Sequence, residues 1–115
     1  MKFRLEYFIG PFNIYDREES LGVTLNQYDP NKFRDLELLM DKYFFSKRQY
    51  IDISNNDKEK ILELLKTSLD DNNFHFNEIM RDSDEDCFYL PDTWVVSNAK
   101  VIYENIYKIC LNKWY

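Results

Sequence analysis

Three aspartates at alternate positions, Asp82, Asp84 and Asp86, have the spacing in this chain that most resembles a metal site. Their D-x-D-x-D pattern opens an EF-hand calcium loop, which next needs glycine at its sixth position and a bidentate glutamate at its twelfth. Cys87 and Thr93 occupy those positions. The one histidine and two distant cysteines also offer no close ligand pair for zinc. We therefore expect no metal and no cofactor.

Nucleophilic catalysis has little support in the residue pattern. His75 is the only histidine, and Cys87 follows a run of acids that disfavours its thiolate. No G-x-S-x-G or glycine-rich phosphate loop is present. Paired carboxylates would act as acid and base only if folding placed them across a cleft. We expect no catalytic residues and no enzyme, with a small enzyme or metal-binding protein as an alternative.

The distribution of charge is the strongest signal in the sequence. The chain has a net charge of −6, and residues 70–92 hold eight of the 21 acids beside one base, Arg81. That stretch carries −7, and the rest of the chain is nearly neutral. A negative surface of this kind repels nucleic acid and anionic membrane and attracts basic proteins. We therefore expect a basic protein partner and no binding to nucleic acid or membrane.

Aromatic side chains next to these acids complete a candidate binding surface. Carboxylates speed the encounter with a basic partner, and exposed aromatic rings slow its dissociation. Tyr89 and Trp94 are the expected anchors, whereas Phe88 should alternate inward if Tyr89 points outward. The candidate partner-binding residues are Asp82, Asp84, Glu85, Asp86, Tyr89, Asp92 and Trp94.

Three segments have the apolar spacing of amphipathic helices. The first should open at Asp29-Pro30 and run to about Ser46. The second should begin with a capping box of Asn56 and Glu59. The third follows Ser97 and has two apolar stripes, so it should pack on both or dock one to a partner.

The segments between these helices favour β-strands, because their apolar residues alternate or form short runs. Strands are predicted at residues 3–9, 49–53, 74–80 and 87–90, with RDSDED as a hairpin tip. Residues 22–25 are a strand candidate in an ambiguous segment, and 93–96 are either a further short strand or the lead into the last helix. The expected fold class is α+β, with a mostly antiparallel sheet of four or five strands and three helices.

Length and composition predict one globular domain over residues 1–115. Aromatic residues make up 17% of the chain, which is enough to fill a core. No apolar run approaches membrane-spanning length, and the first residues do not resemble a secretory signal. We therefore expect a cytoplasmic protein with reduced cysteines.

The whole chain has the profile of a known class of inhibitor. It is short, aromatic-rich and without a catalytic motif, and its acids are concentrated in NEIMRDSDEDCFYLPDTW (77–94). In this profile it resembles the small acidic immunity proteins with which bacteria neutralise contact-dependent or polymorphic toxins. The resemblance implies a monomer that binds a cognate toxin domain, typically a basic nuclease, in a one-to-one complex. It assigns no role to any single residue.

An alternative is a structural or adaptor domain that self-associates through the C-terminal helix. Its contact face would be the second apolar stripe of that helix, with Tyr103, Tyr107 and Trp114. Sedimentation separates the two interpretations, because only this alternative predicts a concentration-dependent dimer.

Overall fold

A computed structural model describes residues 4–47 and 52–115, and these residues are helical and connected by turns. Two 3-10 helices, Leu5–Phe8 and Gly10–Phe12, come first. The α-helices of the described residues are α1 (Leu21–Leu25), α2 (Phe33–Tyr43), α3 (Asn55–Asp70), α4 (Phe76–Ile79) and α5 (Ala99–Trp114). The one β-bridge within these ranges is isolated and pairs Ser83 with Phe88.

The predicted α+β class with a sheet of four or five strands is therefore wrong. Residues 5–8 and 76–79 are helical where strands were predicted, the strand candidate at 22–25 is helical as well, and 93–96 form no strand. Of the hairpin expected between 74–80 and 87–90, only the tip is present, closed by the Ser83–Phe88 bridge. The strand predicted at 49–53 lies largely outside the described residues.

The physical reason is visible in the pattern of burial at the N-terminus. Leu5, Phe8, Ile9 and Phe12 are buried, and this spacing of three and four residues belongs to a helical turn. The alternation read from residues 3–9 depended on Tyr7, which is only half-buried. Seven residues are too few to distinguish the helical period of about 3.6 residues from the two-residue period of a strand, so tertiary packing determined the structure.

The three long helices are present, with shifted starts. The cap of α3 is Ser54, whose Oγ accepts a hydrogen bond from the Asp57 N–H at 3.1 Å. The N-terminal amide of α5 at Ala99 is satisfied by the Asn77 Oδ1 at 2.8 Å. Ser54 therefore caps α3 in place of the predicted Asn56, and Asn77 caps α5 in place of the predicted Ser97. More than one nearby polar side chain can accept a hydrogen bond from a free helix N–H.

Helix α5 lies at the centre of the packing and contacts α2, α3 and α4. Ile102, Ile106 and Ile109 are buried on one face, and Tyr103 and Cys110 on another. Packing on both faces explains why this helix has two apolar stripes. The Tyr103 hydroxyl donates a hydrogen bond to the buried Leu5 carbonyl at 3.0 Å, which ties the N-terminal segment to α5.

Neighbouring leucines on α3 give a direct test of this core. Leu65 is 0% exposed and Leu64 is 36% exposed. We expect Leu65→Ala to lower the free energy of unfolding by roughly 2–5 kcal/mol, because it leaves a cavity. Leu64→Ala should cost well below that, since its side chain already contacts water. Urea unfolding of both variants measures the difference, and equal losses would contradict the orientation of α3.

Because the thiol of Cys110 is buried, we expect the free energy of unfolding to fall at high pH. Removal from water raises the pKa of Cys110. Above about pH 8.5, the ordinary value for a thiol, the unfolded chain releases this proton and the folded chain keeps it. The unfolded state then binds fewer protons, so the free energy of unfolding falls as the pH rises.

Relative to Cys110→Ala, the wild type should lose stability more steeply by about 0.7 kcal/mol per pH unit at pH 8.5, and the difference should approach about 1.4 kcal/mol per pH unit by pH 10. Denaturant unfolding across this range measures both slopes, and parallel curves would contradict the prediction. Burial also raises the pKa of Tyr103, which adds a similar loss above about pH 10 in both proteins.

Candidate protein-binding groove

An open groove of about 1040 Å³ crosses the surface between three stretches of the chain. One wall contains Glu6 and Tyr7 of the first 3-10 helix, and another contains residues 71–79 between α3 and the end of α4. The third wall comes from residues 81–88, which include the acidic turn Ser83–Phe88. The groove therefore joins the N-terminus to segments about 65 to 80 positions later in the sequence.

Negative charge dominates the lining of this groove. Its two basic residues are Arg4 and Arg81, and its histidine is His75. The Arg4 Nε lies 2.9 Å from the Glu6 Oε2 in an exposed ion pair, which neutralises one carboxylate at most. The five carboxylates are those of Glu6, Asp71, Glu78, Asp82 and Asp86. A cation entering the groove would thus meet an excess of negative charge.

Aromatic rings lie among these carboxylates, and contacts below the surface hold them. Phe74 is 36% exposed, and its ring centroid lies 4.6 Å from that of Phe76. Phe76 is buried and lies 5.3 Å from Tyr103 of α5. Tyr7 contacts Phe44 edge to face at 5.6 Å, and Phe88 is half-buried in the third wall. Rings placed in this way resemble the pre-ordered anchors of protein interfaces.

Two of these acids, Asp71 and Asp82, also stabilise the fold by accepting hydrogen bonds from backbone N–H groups. The Asp71 Oδ1 accepts a hydrogen bond from the Asn73 N–H at 2.9 Å, which turns the chain where α3 ends. The Asp82 Oδ1 accepts from the Leu90 N–H at 2.9 Å. The position of Asp71 near the negative end of a helix therefore has a local explanation, since the carboxylate satisfies a free backbone donor.

The acidic turn is closed by two backbone hydrogen bonds between Ser83 and Phe88, of 2.8 and 3.0 Å. Cys87 has a φ of 51°, in the left-handed region. That conformation costs a non-glycine residue roughly 1–2 kcal/mol, so other contacts must hold the turn. Asp84, Glu85 and Asp86 lie exposed on it, and of these Asp86 also lines the groove.

The other candidate residues are more dispersed. Tyr89 is half-buried, and its ring stacks on that of Tyr15 at 5.3 Å. Asp92 is exposed at a separate depression of about 320 Å³, which shares Arg81 and Asp82 with the groove. The structure thus brings Asp82 and Asp86 into the groove, places Asp84 and Glu85 beside it, and separates Asp92 from it.

Trp94 is not an exposed anchor, and that expectation requires correction. It is 8% exposed, and its indole N–H donates a hydrogen bond to the Leu25 carbonyl at 2.9 Å. Its ring lies 5.8 Å from that of Phe12. An indole that is both packed and hydrogen-bonded in the core contributes to folding and is not available to a partner.

Glu6, Tyr7 and Phe74 were absent from the predicted site, although they line the groove. Glu78 and Asp71 belong to the acidic stretch that the sequence had marked. No local signal connects Glu6 with residues 71–88, because the contact depends on how the 3-10 helix packs against α5.

In residues 4–47 and 52–115, neither a metal-ligand cluster nor a helix able to span a membrane is present. No three His, Cys, Asp or Glu side chains converge there to hold a metal ion. No helix in that part of the chain has the length and apolar character needed to cross a bilayer.

No known protein family, curated protein or solved structure matches this chain.

The position of Trp94 makes a prediction about stability. Trp94→Phe loses the hydrogen bond to Leu25 and some packing volume, so we expect the free energy of unfolding to fall by roughly 1–3 kcal/mol. Tyr89→Phe keeps its stacked ring and is the matched control, with an expected change within about 0.5 kcal/mol. Urea unfolding measures both, and a neutral Trp94→Phe variant would contradict a structural role.

Proposed function

We propose that this protein is a non-enzymatic inhibitor that binds a basic protein through the acidic groove. The observation that carries the proposal is the combination of five carboxylates and three aromatic rings around one concavity. The carboxylates would pair with Lys or Arg side chains, and Tyr7, Phe74 and Phe88 would make apolar contacts with them. A long cationic side chain suits such a groove, because its apolar stem and charged end can both be satisfied.

The partner class follows from the charge of the whole chain and of the groove. A net charge of −6 disfavours binding to nucleic acid, whereas it attracts proteins that themselves bind phosphates. A basic nuclease domain presents such a surface at its active cleft. A protein that occupies this cleft with carboxylates would block the substrate by taking the place of its phosphates.

In this proposal the chain is a bacterial immunity protein of the cytoplasm. It would neutralise a toxin nuclease of the kind used in contact-dependent growth inhibition, as a monomer that forms a one-to-one complex. Self-association through α5 has less support, because Tyr103 is 0% exposed. Tyr107 and Trp114 are half-buried against the core.

Charge reversal within the groove tests the proposal. We expect Glu78→Lys/Asp86→Lys to slow association with a basic domain at low salt by about tenfold or more, because it removes electrostatic steering at the contact. The effect should shrink at high salt. The partner is to be sought among basic domains encoded by the neighbouring reading frames, and surface plasmon resonance measures the rates.

The matched control is Glu63→Lys/Glu104→Lys, which changes the net charge equally at exposed positions outside the groove. Equal slowing in both variants would show that net charge alone acts and would overturn the role of the groove. The nuclease activity of the partner is measured in parallel. Failure of the wild-type chain to inhibit it at a one-to-one ratio would overturn the inhibitor function.

A further inference from the structure

The side chain of Asn13 joins the acidic turn to the body of the protein. Its Nδ2 donates a hydrogen bond to the Cys87 carbonyl at 3.0 Å. Its Oδ1 accepts from the Tyr89 N–H at 3.0 Å and from the Tyr15 N–H at 3.0 Å. One amide thus binds the chain on both sides of Phe88 and uses its donor and its acceptor together.

The residues next to Asn13 strengthen the same contact. The Ile14 N–H donates a hydrogen bond to the Tyr89 carbonyl at 2.8 Å. The Tyr15 ring stacks on that of Tyr89, and a hydrogen bond with Cys87 raises the pKa of Tyr15. Residues 13–15 therefore form a continuous grip on residues 87–89.

The contacts from residues 13–15 hold a turn whose backbone conformation is unfavourable by itself. Cys87 is held in the left-handed conformation, which a non-glycine residue adopts only when its surroundings favour it. Within the turn, the shortest hydrogen bonds are the two between Ser83 and Phe88, and two longer ones of 3.3 Å join Cys87 to Asp84 and Asp86 to Ser83. Without Asn13, the chain near Cys87 could relax to an ordinary conformation and lose the shape that the bridge requires.

The groove depends on that shape. Ser83, Asp86 and Phe88 belong to the turn, and they line the groove together with Glu6 and Phe74. We propose that Asn13 is a latch that holds the acidic turn in the conformation that completes the groove. The consequence for binding rests on the proposed function. The latch then sets the fraction of molecules that are ready to bind, and a smaller fraction weakens the apparent affinity in proportion.

Amide hydrogen exchange on the full chain, followed by NMR, tests the latch without any partner. In Asn13→Ala we expect the amides of Ser83, Phe88, Tyr89 and Leu90 to exchange about tenfold faster or more, because the hydrogen bonds of the side chain are lost. The amides of α5 should keep their wild-type rates. Faster exchange throughout the protein would show general destabilisation and would overturn a local latch, as would unchanged exchange in the turn.

Two further variants sharpen this result. Asn13→Asp keeps an acceptor for the Tyr89 N–H and loses the donor to Cys87, so its turn should exchange at an intermediate rate. Asn31→Ala is the matched control, since the Asn31 Nδ2 also bonds a distant backbone carbonyl, that of Val95. It should leave the turn unchanged, and acceleration there by Asn31→Ala would overturn the specific role of Asn13.

A deca-arginine peptide at low salt separates the latch from the proposed function. Asn13→Ala does not change the net charge. If it binds the peptide more weakly than Asn31→Ala does, the result supports the role of the latch in shaping the groove. Equal binding despite faster exchange would overturn that role. The charge-reversal variants test the groove separately. If Glu78→Lys/Asp86→Lys weakens peptide binding no more than Glu63→Lys/Glu104→Lys does, the proposed function of the groove is overturned. The hydrogen-exchange result alone then decides whether Asn13 is a latch.

Discussion

The buried side chain of Tyr103 is the contact on which the arrangement of the groove depends. Its hydroxyl bonds the Leu5 carbonyl, which fixes the 3-10 helix that contributes Glu6 and Tyr7. Its ring contacts Phe76, which in turn supports Phe74. One residue in the second turn of α5 therefore positions two walls of the groove. Because Tyr103 is completely buried, neither wall can move far without exposing the core.

The third wall is held by polar contacts. Asn13 and the Asp82 carboxylate satisfy backbone groups of residues 87–90, where no strand provides partners. Such contacts are individually weak and partly exposed to water, so this wall has a lower local stability than the other two. The acidic turn is therefore the part of the groove that local unfolding displaces most easily.

Core residues were easier to predict from the sequence than secondary structure. Most residues of the predicted apolar stripes of α2, α3 and α5 face the core, although Phe33 and Val101 are exposed, because ten or more residues at helical spacing leave little ambiguity. The short segments 4–12 and 74–80 contain many aromatic residues, which favour strands when taken alone. Their helical turns are stabilised by contacts with α5 and α3, and tertiary packing outweighs a local preference of that size.

By itself the sequence determined the concentration of acids in residues 70–92, the three long helices and most of the core, since these follow from residue type and periodicity. Only the tertiary structure decided which acids share a surface and which rings are exposed. Asp82 and Asp86 line the same groove as Glu6, whereas the Trp94 indole turns inward and donates a hydrogen bond to the Leu25 carbonyl. Glu6 lies 76 and 80 positions from these two aspartates, and Leu25 lies 69 positions from Trp94, so nothing in local propensity encodes their proximity.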